Sequence, residues 1–379
     1  MDTKRTKEVV RLRRLSTCIV LAPLLVFCTG CPFGTLPTDG NQTARPNLDT
    51  PGNATIASAT ALPLGEGDGE VEFVGTIDGR SDVDVYDIGV LRPGDRLLVD
   101  VRTTSGTLDP VAAIFDGDEY LIAYNDDRAS DSSDLNPYLD FVIRGDEGHY
   151  YLGVVGYPGY DSNGNYDAIV TVQRDVGVPV PDGQIVYLDW AGGSGAVVPN
   201  VGTFDLQPFD ASDVGLASSQ TASLKDRVQA VVAERYADFN FVVLNSDDDP
   251  VPAGAHSTVY FGGLNRQAFA ISEKIDSYNS DPSDSAIVYT ESFIGAFGAR
   301  PSFERMGQAL GNTVAHEIAH LLGLVHTADC EDLMDATCSN VRILSPQEFS
   351  TAQVDDSVFP FGYQPAVDIL TWVLGLVGQ

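Results

Sequence analysis

The spacing of apolar residues predicts a region of short β-strands in the first half of the chain. Between residues 54 and 174, apolar and polar residues alternate in short runs that Gly, Asp and Asn turns separate. Alternation with a period of two is typical of strands that bury one face, so we expect an antiparallel β-sandwich. The runs cover residues 71–75, 83–87, 96–101, 111–115, 149–155 and 168–172.

The second half of the chain has the pattern of strands alternating with helices. Apolar residues at helical spacing predict a helix at 223–236 and a longer one that starts after Ser302 and runs to about residue 321. Ser345-Pro346-Gln347-Glu348 has the form of a capping box with proline at the first helical position, which predicts a further helix. The apolar stretch 366–377 is too short to span a membrane, and we expect it to pack on the domain. Strands are predicted at 184–190, 239–244, 257–261 and 286–290.

These patterns predict a multidomain protein. An all-β sandwich at 54–175 is followed by a Pro-containing linker at 176–182 and an α+β domain at 183–379. Residues 31–53 are rich in Pro, Thr, Gly and Asn, which is typical of a flexible tether. Residues 1–30 precede the tether and have the composition of a targeting signal.

The N-terminal signal resembles that of bacterial lipoproteins. A Lys/Arg-rich start precedes an apolar run at 15–27, and Gly30 stands before Cys31. The resemblance implies that Cys31 accepts lipid and anchors the protein in the bacterial cell envelope, at the outer membrane in a Gram-negative cell, facing the periplasm or the exterior. The alternative is a plain secretory signal that leaves Cys31 as a free thiol.

The acidic composition limits the classes of partner. The formal net charge is -32, from 54 acidic and 22 basic residues, which excludes nucleic acid and anionic lipid surfaces as partners. We therefore expect a monomer that contacts the membrane only through its N-terminal lipid. Carboxylates are also calcium ligands, so Ca²⁺ is a second candidate cofactor, with a merely solvated acidic surface as the alternative. The aspartates that could gather around calcium are Asp82, Asp84, Asp126, Asp127, Asp131 and Asp134.

The chemistry of the chain is concentrated at residues 316–326, which read His-Glu-Ile-Ala-His-Leu-Leu-Gly-Leu-Val-His. On a helix, His316 and His320 point the same way and can bind one zinc ion. Gly323 can end the helix with a positive φ, so that the chain turns back and His326 reaches the same metal. Three protein ligands leave one position for water, and Glu317 lies beside it as a general base. The alternatives are a surface helix with coincidental histidines and a zinc site that has lost its activity.

This motif resembles that of the metzincin metallopeptidases. Met334 follows eight residues after His326 within Asp-Leu-Met-Asp, as in the Met-turn of the matrixins. The resemblance implies an α+β peptidase domain, a zinc-dependent endopeptidase acting on protein or peptide substrates, and Met334 as an apolar floor under the zinc. It also implies a cleft beside an edge strand that pairs with extended substrate. Ala336 replaces the metal-switching tyrosine of some relatives, so no oxyanion assistance is expected there.

The first domain resembles the bacterial pre-peptidase C-terminal (PPC) module. The resemblance rests on residues 82–86, 91–95, 125–127 and 148–152. Such modules accompany secreted peptidases, but usually on the other side of the catalytic domain. A substrate-binding or adhesive role and a passive spacer both remain open.

The cysteines predict one disulfide. Cys330 and Cys338 bracket Met334 and remain once the signal and the lipid-accepting cysteine are set aside. In an oxidising compartment we expect them to pair and to close the Met-turn loop. A different class of function is also possible for the whole chain: a cell-surface binding or adhesion lipoprotein with a vestigial zinc site.

Overall fold

The computed structural model of the protein describes residues 45–128 and 134–378. Residues from Arg45 onward form one compact unit. The predicted signal, Cys31 and most of the predicted tether lie outside the described residues and remain predictions. The end of the predicted tether belongs to the fold, because the amide of Leu48 donates to the carbonyl of Val74 at 3.3 Å and the carbonyl of Asn53 accepts from Val85 at 2.7 Å.

In the described part of the first half, nine strands form two sheets. One sheet has the order β2-β9-β4-β7 and the other β1-β3-β8-β5-β6, antiparallel except for the β1–β3 pair. All six predicted runs lie in these strands, whereas β1, β6 and β7 were not predicted. The strands are β1 Thr60–Ala61, β2 Gly69–Ile77, β3 Val83–Leu91, β4 Arg96–Gly106, β5 Pro110–Asp116, β6 Leu121–Asn125, β7 Tyr138–Val142, β8 Gly148–Gly156 and β9 Gly164–Gln173.

The two sheets bury their facing sides in one core, but only one of them has an exposed outer side. In β9 the buried residues alternate with less buried ones, as a half-exposed strand requires. In β5 every residue from Pro110 to Phe115 is buried. A strand without alternation is covered on both faces, so the five-stranded sheet packs against something besides its partner sheet.

The second half contains a mixed sheet with helices. The order is β13-β10-β14-β16-β15, parallel except that β15 is an antiparallel edge strand. The predicted helices α1 and α2 pack on it in one hydrophobic core, and α3 joins this core as expected for the C-terminal apolar stretch. The elements are β10 Gln184–Asp189, β11 Gly193–Val198, β12 Gly202–Leu206, α1 Thr221–Arg235, β13 Phe241–Asn245, β14 Ser257–Phe261, β15 Ala270–Ser272, β16 Ser285–Val288, α2 Phe303–Leu321, β17 Thr351–Gln353, β18 Tyr363–Pro365 and α3 Ala366–Leu374.

The outer side of the five-stranded sheet packs against the second half of the chain. Phe115 and Tyr124 of the sheet share a hydrophobic cluster with Val325 and Phe359, and the rings of Phe115 and Phe359 lie 5.1 Å apart. A Cβ atom on Gly153 would lie 2.6 Å from the Phe359 ring, so the absence of a side chain at this position lets the ring pack directly on the strand. The protein is therefore β-rich, with several sheets and few helices, and its two halves share a buried interface.

The helix predicted from the capping box at Ser345 is wrong. The side-chain amide of Gln347 donates to the carbonyl of Asp332 at 3.0 Å, and the carbonyl of Glu348 accepts from the amide of Leu333 at 2.8 Å. A short strand, β17, follows. Local capping preferences are weak compared with a set of tertiary hydrogen bonds, and here those bonds hold the segment extended against the loop that contains Met334.

A shared calcium site for the predicted aspartates is also wrong. Asp84 on β3 and Asn125 on β6 lie in the same row across the sheet, and the strands β8 and β5 lie between them. At the usual strand spacing, the Cα atoms of Asp84 and Asn125 are about 14 Å apart. Asp84 and Asp126 therefore cannot bind one ion, and Asp131 lies outside the described residues. Buried Asp84 instead accepts a 2.6 Å hydrogen bond from the hydroxyl of Tyr166.

No helix among the described residues combines the length and the apolar composition that crossing a membrane requires.

Candidate metal centre

The motif helix α2 begins and ends as its sequence predicts. Ser302 is the N-cap, and its hydroxyl accepts from the amide of Arg305 at 3.5 Å. The helix ends at Leu321, and Gly323 follows with φ of 95°. A Cβ atom on Gly323 would lie 2.9 Å from the Cα of Ser277. The glycine is thus required both by its left-handed conformation and by the close approach of a neighbouring loop.

The three histidines of the motif meet at one point. The Nε2 atom of His320 lies 3.1 Å from Nε2 of His316 and 3.1 Å from Nε2 of His326. A tetrahedral zinc ion with Zn–N bonds of about 2.0–2.1 Å requires nitrogens roughly 3.3 Å apart. The three side chains form a group that could hold a metal ion.

The other ring nitrogens fix the tautomers. Nδ1 of His316 lies 2.8 Å from the carbonyl oxygen of Leu333, and Nδ1 of His320 lies 2.8 Å from that of Leu324. Because a carbonyl oxygen only accepts, each Nδ1 carries the proton and each Nε2 presents a lone pair. Lone pairs that face one another at 3.1 Å repel unless a cation lies between them, so the donor set fits a metal.

Burial keeps these imidazoles neutral, which is the form that binds metal. It lowers the pKa of His316 and His320, and neighbouring histidines lower that of His320 further. Burial, followed by the charge of His316, lowers the pKa of His326 to about 3.

Glu317 lies between the motif helix and the edge strand. Its side chain is buried, and burial raises the pKa of its carboxyl to about 8, against hydrogen bonds from the backbone amide and hydroxyl of Ser272. Ser272 is the last residue of β15. The edge strand therefore holds the candidate general base directly, a contact that the motif alone does not reveal.

The loop at 327–338, which contains Met334, is organised around a buried carboxylate that the sequence reasoning missed. Asp332 is wholly buried, and its Oδ1 accepts from the amide of Met334 at 2.8 Å and from the hydroxyl of Thr327 at 3.0 Å. Its Oδ2 accepts from the amide and hydroxyl of Ser350 at 2.9 and 2.5 Å. The only sequence signal for this role was its place two residues before Met334, which is itself fully buried.

The predicted disulfide is present. Cys330 and Cys338 are bonded, with Cα atoms 5.6 Å apart, and close the loop that contains Leu333 and Met334. The carbonyl of Leu333 is the hydrogen-bond partner of His316, so the loop supports a candidate metal ligand.

A cavity of about 910 Å³ opens beside the histidines. Its lining includes Glu317, His320 and His326, together with residues of β15 and of the segment 273–281 that comes after β15. Residues from β6, β7 and the loop after β6, which belong to the sandwich, also line the cavity. Sequence reasoning did not place the sandwich at the site, because nothing in a local pattern links residues so far apart in the chain.

No protein-family model matches the chain. No curated protein matches it either. Weak structural neighbours include archaemetzincin from Methanopyrus kandleri, with 14% identity, a TM-score of 0.26, and coverage of 45% of this chain and 92% of that one. Another is the pre-peptidase C-terminal domain of collagenase from Bacillus anthracis, with 19% identity, a TM-score of 0.22, and coverage of 30% and 95%. A third is PliG of Aeromonas hydrophila, a periplasmic inhibitor of g-type lysozyme, with 13% identity, a TM-score of 0.24, and coverage of 30% of this chain and 94% of that one. Similarities this weak do not bear on the function of this chain.

Proposed function

We propose that the protein is a zinc-dependent endopeptidase. The observation that carries this proposal is the convergence of three Nε2 atoms, 3.1 Å apart around His320, beside a buried glutamate in an open cavity. A structural zinc site is closed by four protein ligands, whereas three ligands in a cavity suit catalysis. The resemblance of the motif to that of the metzincins supports a peptide substrate.

The proposed roles follow from the contacts. His316, His320 and His326 would hold a zinc ion, which would supply Lewis acidity and lower the pKa of a bound water toward neutrality. A carboxylate oxygen of Glu317 takes a proton from water and delivers it to the leaving amine nitrogen. The hydrogen bonds from the backbone amide and hydroxyl of Ser272 orient the Glu317 carboxylate between helix and strand.

The surrounding elements have proposed roles as well. An extended peptide can add to the open edge of β15, next to Glu317. Residues 183–379 would then be a metzincin-like α+β domain, with Met334 as the floor of the site, and the sandwich a PPC-like module. We further propose that the protein works in the bacterial cell envelope, anchored through lipid on Cys31.

The test is turnover by the full-length protein, measured with casein and with fluorogenic peptides while bound zinc is quantified. We expect cleavage that a zinc chelator abolishes and that zinc restores. Glu317→Gln should keep stoichiometric zinc and lose turnover, because the amide cannot take the proton. Glu304→Gln is the matched control: it lies on the same helix, in an exposed ion pair with Arg227, and should leave activity unchanged.

Two results would overturn the proposal. Turnover retained by Glu317→Gln would exclude the assigned base. Zinc-loaded wild-type protein that cleaves no peptide would instead favour the binding lipoprotein with a vestigial zinc site.

A further inference from the structure

The cavity beside the histidines has two walls from different parts of the chain. One wall is β15 with the segment 273–281. The other is the sandwich, through residues 124–128 at the end of β6 and residues 138–141 of β7. Any peptide that reaches Glu317 along β15 therefore passes in front of the sandwich.

The sandwich wall is fixed in place by contacts at the rim of the cavity. The hydroxyl of Ser277 donates to the carbonyl of Tyr124 at 2.9 Å. The ring of Tyr278 stacks on Phe141 at 5.1 Å and 12°, and the guanidinium of Arg144 lies 4.9 Å from the Tyr278 ring. Aromatic and cation–π contacts of this kind hold the sandwich against the segment 273–281, so the wall is part of the site and not a mobile lid.

Carboxylates dominate both walls. Two of the lining residues are cations: Arg128 pairs with Asp100, and Lys274 lies 3.3 Å from Asp276 and 3.8 Å from Asp281. Of the lining carboxylates, that of Asp140 pairs with Arg96 at 2.6 Å. The carboxylates other than that of Glu317 outnumber the two lining cations and come from both parts of the chain. They are Asp126, Asp127, Asp140, Glu273, Asp276 and Asp281.

We propose, on the basis of the proposed endopeptidase function, that the sandwich forms the second substrate-binding wall of the cleft and that the cleft selects extended peptides carrying Lys or Arg. A cleft lined by one sign of charge focuses the field between its low-dielectric walls and concentrates ligands of the opposite sign. An anionic peptide meets like charge on both sides, which disfavours its binding. The sandwich thus contributes half of the carboxylates that select the substrate.

The test measures equilibrium binding separately from turnover. Fluorescein-labelled peptides of equal length, with two Lys, two Gln or two Glu residues, are titrated into zinc-loaded full-length Glu317→Gln protein. We expect the Lys peptide to bind roughly tenfold more tightly than the Gln peptide and the Glu peptide to bind more weakly. The preference should weaken as salt shortens the screening length.

Two charge-neutralising substitutions test whether the preference for the Lys peptide comes from the sandwich wall. Asp126→Asn with Asp127→Asn, in the same background, should reduce the preference for Lys about threefold or more and leave affinity for the Gln peptide unchanged. The matched control is Glu66→Gln with Asp161→Asn, two exposed acids of the sandwich away from the cavity, which should leave all three affinities unchanged. The same ranking is expected in kcat/KM of the wild-type enzyme.

The outcomes separate this inference from the proposed function. Equal binding of the three peptides, or an equal loss of preference in both charge-neutralised proteins, would overturn the inference even if the enzyme cleaves peptides. Selective binding with no turnover by wild-type protein would support the second wall and count against the endopeptidase.

Discussion

Ser277 and Tyr124 join the two halves of the protein at the candidate metal centre. The Ser277 hydroxyl donates to the carbonyl of Tyr124 at 2.9 Å and accepts from its amide at 3.3 Å. The preceding residue, Asp276, donates its amide to the carbonyl of His320 at 2.9 Å. The sandwich therefore supports, through one short loop, the end of the helix that carries two of the candidate metal ligands.

Ser277→Ala should destabilise the protein by about 1–3 kcal/mol, because it leaves a backbone amide and a carbonyl at the interface without their partner. Urea unfolding gives the free energy directly. Ser283→Ala, an exposed serine nearby in the chain, should change it by no more than about 0.5 kcal/mol. Equal effects of the two substitutions would mean that water replaces the Ser277 contact without loss.

Phe359→Ala should show that the two halves unfold together. Phe359 is fully buried against the five-stranded sheet, so truncation should lower the free energy of unfolding by about 3–5 kcal/mol. Far-ultraviolet circular dichroism and tryptophan fluorescence should follow one shared transition in wild-type protein and variant.

Val251→Ala, at a residue that is 64% exposed, serves as the control. Two separate transitions in the wild-type protein would mean that the halves fold as independent units and that the interface contributes little.

Local sequence patterns were sufficient to predict those helices and strands whose own residues have a clear periodicity or capping residue. The sequence predicted helix α2, its capping residue Ser302 and its terminating Gly323, because the local pattern around each residue was sufficient to predict it. Strands with several alternating residues, such as β2 and β9, were predicted for the same reason.

Local sequence patterns did not predict the segments whose conformation depends on contacts with residues distant in the chain. β15 has only three residues, too few for a periodic pattern, and β6 is buried without alternation. β7 does alternate between exposed and buried residues, and this signal was missed. All three strands contribute residues to the lining of the cavity. The capping box at Ser345 was overridden by hydrogen bonds to Asp332 and Leu333. The pairing of Tyr124 with Ser277 spans 153 positions, a separation over which one sequence alone carries no detectable pattern.

Removing the disulfide should weaken metal binding. Replacing Cys330 and Cys338 by serine frees the loop whose Leu333 carbonyl orients His316, and such outer contacts are typically worth about 10–100-fold in metal affinity. Competition with a zinc-binding dye measures the affinity. The free energy of unfolding should also fall by about 2–3 kcal/mol, as expected for a short closed loop.

Treating wild-type protein with a reductant should reproduce the lower zinc affinity of the double variant, and reductant should have no effect on the variant itself. Unchanged zinc affinity in both would show that Asp332, not the disulfide, holds the loop.

Asp284 should make the protein less stable as the pH rises. Its side chain is buried, its Oδ1 accepts from the Ser257 hydroxyl at 2.6 Å, and its buried Oδ2 has no partner among the described residues. Burial raises the pKa of Asp284 from 3.8 to about 8. The folded state therefore holds a proton that the unfolded chain releases, and this stabilisation is complete below about pH 4 and is lost between about pH 4 and 8.

Asp284→Asn resembles the protonated carboxyl at every pH, so it should remove this loss. At pH 8 the variant should exceed the wild-type protein by at least about 1 kcal/mol in the free energy of unfolding, and at pH 4 the two should be equal, as urea titrations across the range can show. Asp356→Asn, at an exposed position, should have the same free energy of unfolding as the wild-type protein at every pH. A difference between Asp284→Asn and wild type that stays constant with pH would mean that Asp284 is ionised in the fold, and that its negative charge is stabilised by neighbours such as Lys274.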